Sequence, residues 1–155
     1  DRPGPLGDAL TKALAASGFP LPTVADLPGT APRTLEVYPH PALLVLLARE
    51  YRIPYKVSKS KKYWPQATVQ ERIRKLLEEF TAIDSALKGA FGETHIPLPS
   101  PSQVHNLSRL KRYEDALDAL VSAWVGVQYV EGRSIGYGDD KAAIWVPSLP
   151  SAPES

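Results

Sequence analysis

Lys111-Arg112-Tyr113-Glu114-Asp115-Ala116-Leu117-Asp118-Ala119-Leu120-Val121-Ser122-Ala123-Trp124-Val125-Gly126 is the stretch on which the reading of this chain turns. From Ala116 to Val127 only Asp118, Ser122 and Gly126 interrupt the apolar residues. A helix apolar over most of its circumference is normally buried. Asp115, Asp118 and Ser122 stand at i, i+3 and i+7, so they predict one narrow polar line along such a helix. A carboxylate on a buried helix costs free energy unless it is paired, hydrogen-bonded or bound to a metal. The line therefore needs a partner, and a metal ion is one candidate. The plainer alternative places Glu114 and Asp115 in the first helical turn, where negative charge complements the dipole. That account covers Asp115 and fits Asp118, one turn further in, less well.

Composition narrows the remaining choices. A chain of 155 residues suits one domain, expected here over 1–147 with a flexible tail over 148–155. The 18 basic and 17 acidic residues nearly cancel, so any nucleic-acid surface must be local rather than a field of the whole molecule. With no cysteine there is no disulfide framework and no thiolate chemistry, which suits a cytoplasmic location. No apolar run reaches the length of a membrane span and no signal-peptide pattern opens the chain, so no membrane partner is expected. The chain also lacks methionine and opens at Asp1-Arg2-Pro3-Gly4-Pro5, which reads as a fragment or a chain without its N-terminal part.

Outward from the central stretch, an apolar stripe of Leu6, Leu10, Ala13 and Leu14 predicts a helix over 5–17, stopped by Gly18. Thr34-Leu35-Glu36-Val37-Tyr38, between Pro32 and Pro39, reads as a short strand with Glu36 opposite Leu35 and Val37. An acid there belongs either to an edge strand in water or to a ligand at the carboxyl end of a buried strand. His40-Pro41-Ala42 starts a leucine-rich helix, with His40 structural. Val69, Ile73, Leu76, Leu77, Phe80, Ile83, Leu87 and Phe91 recur at helical spacing and predict a long helix over 68–91. Asn106 or Ser108 is placed to cap the central helix, Gly132 to end it, and Ala142-Ala143-Ile144-Trp145-Val146-Pro147 reads as a final strand.

Between these lies a basic region. Arg52, Lys56, Lys59, Lys61 and Lys62 crowd together with Tyr51, Tyr55, Tyr63 and Trp64 among them. Such a pattern suits a nucleic-acid surface, DNA or RNA, through phosphate neutralisation and base stacking. It equally suits a solvated loop whose aromatic rings pack inward.

Thr34-Leu35-Glu36-Val37-Tyr38-Pro39, Ile53-Pro54-Tyr55-Lys56, Asp115-Ala116-Leu117-Asp118-Ala119-Leu120 and Ala143-Ile144-Trp145-Val146-Pro147 follow one another in the order found in a family described as predicted RNase H-like nucleases. The chain resembles its C-terminal part from about Arg2 to Pro147. The acidic helix is also similar to that of Holliday-junction resolvases. The resemblance implies an α/β, ribonuclease H-like three-layer fold lacking its N-terminal strands. It implies that Glu36, Asp115 and Asp118 are catalytic and hold Mg²⁺ or Mn²⁺ for hydrolysis of nucleic-acid phosphodiesters. Lys56 suits neutralisation of the phosphate and, equally, a plain surface role. The first-strand acid of that family has no counterpart here. An exposed sheet edge is therefore expected, covered by a partner chain or a missing N-terminal segment. Two function classes follow: a two-metal nuclease, or a binding module that keeps the fold without complete chemistry. Crowded acids would repel without metal, so Asp118→Asn is expected not to destabilise the metal-free protein.

Overall fold

Helix α4 (Val69–Phe91) is built as its periodicity dictates: Ile73, Leu76, Leu77, Phe80, Ile83 and Leu87 form its buried face. Thr68 caps its start, its hydroxyl accepting from the Glu71 amide while the Glu71 carboxylate accepts from the Thr68 amide. This reciprocal pairing satisfies donors that the first turn leaves without helical partners. Gly92, at φ +90°, closes the helix in a conformation that disfavours side chains.

The computed structural model describes residues 4–148. Helices and strands mix in an α/β arrangement: α1 (Pro5–Ala16), α2 (Pro39–Leu46), the short α3 (Ser60–Tyr63), α4, α5 (Lys111–Val130), β1 (Ser134–Gly138) and β2 (Ala143–Pro147). The chain divides into two compact units, 1–38 with 125–155 and 39–124, and α5 contributes to both. The tail expected to be flexible falls, from residue 149 on, outside the described residues.

In the unit formed by 39–124, α2 and α4 pack on one another, and Ile53, Tyr55 and Val57 enter the same core. These three alternate with Arg52, Pro54 and Lys56, so an extended segment buries every second side chain without belonging to a sheet. His40 is buried at the start of α2 and stacks on Tyr55 with ring centroids 6.1 Å apart. This burial and stacking fit the structural role expected from the sequence. A further buried group escaped that reading: Asp84 on α4 accepts from the Thr94 hydroxyl and pairs with Lys88 at 3.0 Å.

In the unit formed by 1–38 and 125–155, β1 and β2 make an antiparallel hairpin in the register Ser134↔Pro147 to Gly138↔Ala143. A Cβ at Gly138 would lie 2.1 Å from the Ala142 carbonyl oxygen, so only glycine admits this tight turn. Trp145 is buried and meets Tyr129 edge-on at 4.7 Å. The segment expected as a strand at 34–38 is extended, but it pairs only through a parallel bridge from Glu36 to Ile144, with the Trp145 amide donating to the Glu36 carbonyl at 3.0 Å. Helix α1 forms where expected and Gly18 (φ +89°) ends it, yet it buries none of its residues, and Leu6 is 83% exposed. Hydrophobic spacing specified the helix and not its burial. Among the described residues no helix is long and apolar enough to cross a membrane.

Two expectations follow. Phe80→Ala should lower stability by about 3–5 kcal/mol, the cost of truncating a buried aromatic side chain, while Val69→Ala at the exposed start of α4 should cost less than about 1 kcal/mol; equal losses in denaturant unfolding would contradict the assigned core face. For His40, burial first, then the nearby Arg52 and Lys56 cations, hold the pKa below its ordinary 6.5, against the opposing pull of Asp118. The folded state then binds fewer protons than the unfolded one, so this contribution is whole above 6.5 and is lost as pH falls below it. His40→Gln should flatten the stability profile in that window; an unchanged profile would contradict the assignment.

Candidate metal centre on helix α5

Helix α5 follows a 3₁₀ turn (Leu107–Leu110) that the Asn106 side chain caps by accepting from the Arg109 amide. Its buried face runs through Tyr113, Glu114, Leu117, Val121, Trp124 and Val125, while Ala119 and Ala123 are exposed. The helix is thus amphipathic rather than buried all round, and this corrects the placing of its polar line. The acid on the buried face is Glu114, 2% exposed, which shares that face with Leu117 and Val121 at i+3 and i+7. Asp118 keeps 21% of its side chain exposed and Asp115 60%, with Ser122 half-buried and donating to the Asp118 carbonyl at 2.8 Å.

Glu114, Asp115 and Asp118 each offer a carboxylate oxygen within 4.8 Å of the others. Facing them is the segment Tyr55-Lys56-Val57, each of whose residues reaches the helix. The Tyr55 hydroxyl donates to Asp118 Oδ1 at 2.7 Å, Lys56 Nζ donates to Asp118 Oδ2 at 2.5 Å, and the Val57 amide donates to Glu114 Oε2 at 2.8 Å. Lys56 Nζ also stands 3.4 Å from Glu114 Oε1 and 4.6 Å from the centre of the Tyr55 ring. Lys111 completes the arrangement, donating to Glu114 Oε1 at 2.9 Å and to Asp115 Oδ1 at 2.6 Å. Each ammonium therefore bridges two carboxylates. The contacts with Asp115 and Glu114 raise the pKa of Lys111, and burial followed by the Asp118 contact pushes the Tyr55 hydroxyl well above its ordinary range.

The interleaved lysines overturn the expectation that these acids simply repel. Neutralising Asp118 would remove the charge that pairs with Lys56, while an amide oxygen there would still accept from the Tyr55 hydroxyl.

An all-oxygen donor set suits Mg²⁺ or Mn²⁺ better than softer metals, and the exposed side of Asp115 leaves room for a hydrated ion. The residues fit such a cation, which would compete with Lys56 and Lys111 for the same oxygens. Glu36, expected as a third ligand, is exposed, lies in the other unit and is not a member of this cluster. Glu114 takes a place the sequence reading gave only to dipole complementarity. Its helical spacing to Leu117 and Val121 was the signal that marked it as the inward acid.

Of the basic residues, Arg52, Lys59, Lys61 and Lys62 are exposed, the last two on α3, whereas Lys56 is half-buried and committed to the acids. Tyr55 is buried, and Trp64 packs under Lys75, whose Nζ lies 5.6 Å from the ring centre. Tyr51 remains exposed and available for stacking.

In metal-free buffer Asp118→Ala should cost about 1–3 kcal/mol by leaving the Tyr55 hydroxyl and the Lys56 ammonium without their acceptor. Tyr55→Phe should cost less, about 0.5–1.5 kcal/mol, because it removes donor and desolvation together. A stability equal to wild type for Asp118→Ala in chelator would contradict this network.

No curated protein and no solved structure matches this chain. One family does, over residues 7–142: the chain belongs to the family described as "Protein of unknown function (DUF429)".

Proposed function

We propose that this chain is part of an RNase H-like, metal-dependent nuclease that hydrolyses phosphodiester bonds of nucleic acid. The observation that carries the reading is the approach of Glu114, Asp115 and Asp118 to within 4.8 Å, beside an exposed run of basic residues on the same unit. The motif order along the chain and the mixed helices and strands support the fold part of the proposal.

In this reading Asp115 and Asp118 hold the metal. Glu114 is a positioning residue: it fixes the Val57 amide, and through it the segment that carries Tyr55 and Lys56. Lys56, whose ammonium lies on Asp118 and near Glu114, is the cation that would neutralise a substrate phosphate at this site. Arg52, Lys59, Lys61 and Lys62 hold the flanking backbone by charge. Bound Mg²⁺ or Mn²⁺ supplies an activated water and stabilises the charge that develops at the leaving oxygen.

The second reading, a binding module without cleavage, has its own support in the two lysines. They offset two of the three carboxylate charges, so the network can stand without metal as a structural clamp.

Calorimetric titration with Mg²⁺ and Mn²⁺, followed by cleavage assays on single- and double-stranded DNA and RNA, separates the two. The nuclease reading predicts metal binding and cleavage, with Asp118→Asn losing more activity than the roughly 10–100-fold typical of changes to a ligand's outer partners. Lys59→Ala with Lys61→Ala should spare metal binding and lower the slope of log affinity against log salt by about 0.7–0.9 for each lost contact. Nucleic-acid binding with neither metal uptake nor cleavage would leave the binding module as the correct reading.

A further inference from the structure

Helix α2 ends in a tight backbone turn. The Ala48 amide donates to the Val45 carbonyl at 3.2 Å and the Arg49 amide to the Leu44 carbonyl at 3.0 Å, with Ala48 at φ +48°. The chain leaving that turn is anchored to α4 by Arg49, whose Nη1 donates to Glu79 Oε2 at 2.6 Å. Between 48–54 and Glu79 opens a cleft of about 700 Å³, a size ordinary for a small-ligand site.

The charges that line it cancel, Arg49 and Arg52 against Glu50 and Glu79. A balanced wall of this kind suits neither a metal ion nor a bare phosphate. It suits a neutral ring with both donors and acceptors on its edge, which is what a nucleobase presents. Tyr51 supplies a flat face for such a ring: it lines the cleft, is 78% exposed, and among the described residues nothing bonds to it or stacks on it. Arg52, also on the wall, has no hydrogen bond or ion pair among the described residues.

The extended segment links this cleft to the acids. Ile53, Tyr55 and Val57 are buried, so Arg52, Pro54 and Lys56 share the outward face. Arg52 and Pro54 line the cleft, and Lys56 lies on Asp118. Extended chain from Arg52 to Lys56 covers about 13 Å, the length of a few nucleotides of single strand.

We propose that this cleft takes one unpaired nucleobase of a single-stranded nucleic acid, stacked on Tyr51. Arg52 then meets the adjoining phosphate, and the strand runs past Lys56 to the acids. A base inside a duplex is paired and stacked and cannot enter, so the cleft selects unpaired nucleotides. The inference rests on the nucleic-acid part of the proposed function and needs neither metal uptake nor cleavage.

Fluorescence anisotropy in chelator, with the intact chain and a short labelled single strand, tests it. The comparison probes are an abasic strand of equal length, which keeps the phosphates and lacks the bases, and a blunt duplex. Tyr51→Ala should weaken binding of the ordinary strand about tenfold, the loss of one stacked base, and Tyr51→Phe should not. The same Tyr51→Ala change should leave the abasic strand, the duplex and the salt dependence unaltered, because no phosphate contact is lost. Arg52→Ala should instead lower the slope of log affinity against log salt by about 0.7, one phosphate contact on a single strand. Equal losses on the ordinary and abasic strands, or no loss on either, overturn the base cleft and leave nucleic-acid binding standing. Failure of the wild-type chain to bind any of the three probes overturns both.

Discussion

The buried carboxylate of Glu114 is the constraint on which the arrangement around α5 depends. An ionised carboxylate at 2% exposure stands only if donors meet it, and here they are the Val57 amide and the Lys111 and Lys56 ammonium groups. The amide contact matters most for the chain path, because it ties an extended segment with no sheet of its own to the first turns of α5. Once Val57 is held, Lys56 and Tyr55 fall within reach of Asp118, one turn further along. Local backbone, helix phase and charge balance thus meet at one residue.

The same balance shapes the proposed chemistry. Two lysines bridging three acids form a neutral-to-acidic site that is stable by itself, and a divalent cation must win oxygens from ammonium groups to enter it. The Lys56 charge would couple the site to substrate, since it is worth most next to a phosphate. Exposed Arg52, Lys59, Lys61 and Lys62 on the same unit continue that cationic surface.

Much of the fold was legible where one signal dominated. Helix α4 follows directly from Ile73, Leu76, Leu77, Phe80, Ile83 and Leu87, and its start from the Thr68 and Glu71 pair. The span of α5 was legible too, but its inward face was not. Ala116, Ala119 and Ala123 fill the boundary between faces, and alanine suits water and core alike, so the apolar run looked buried on every side. A rotation of one residue then separates Asp115, outward, from Glu114, inward. Strand β1 was missed because Gly136 and Gly138 supply no side chains to mark an alternation. The 34–38 segment read correctly as extended, yet pairing belongs to the neighbouring strand, and only Glu36 finds one. The lysine partners of the acids were the least legible element: Lys56 looked like a nucleic-acid contact, and only the path of the backbone turns it onto Asp118.

The most direct test of the central claim, that a divalent cation takes the place of Lys56 and Lys111 on Asp118 and Asp115, beside Glu114, is paramagnetic broadening by Mn²⁺ in an amide NMR spectrum. The Val57 amide, 2.8 Å from Glu114 Oε2, is the reporter. The account predicts that substoichiometric Mn²⁺ broadens Val57 and the first turns of α5 before other amides, and that excess Mg²⁺ restores them. Broadening spread evenly over exposed acids, with the Val57 resonance left sharp, would contradict it.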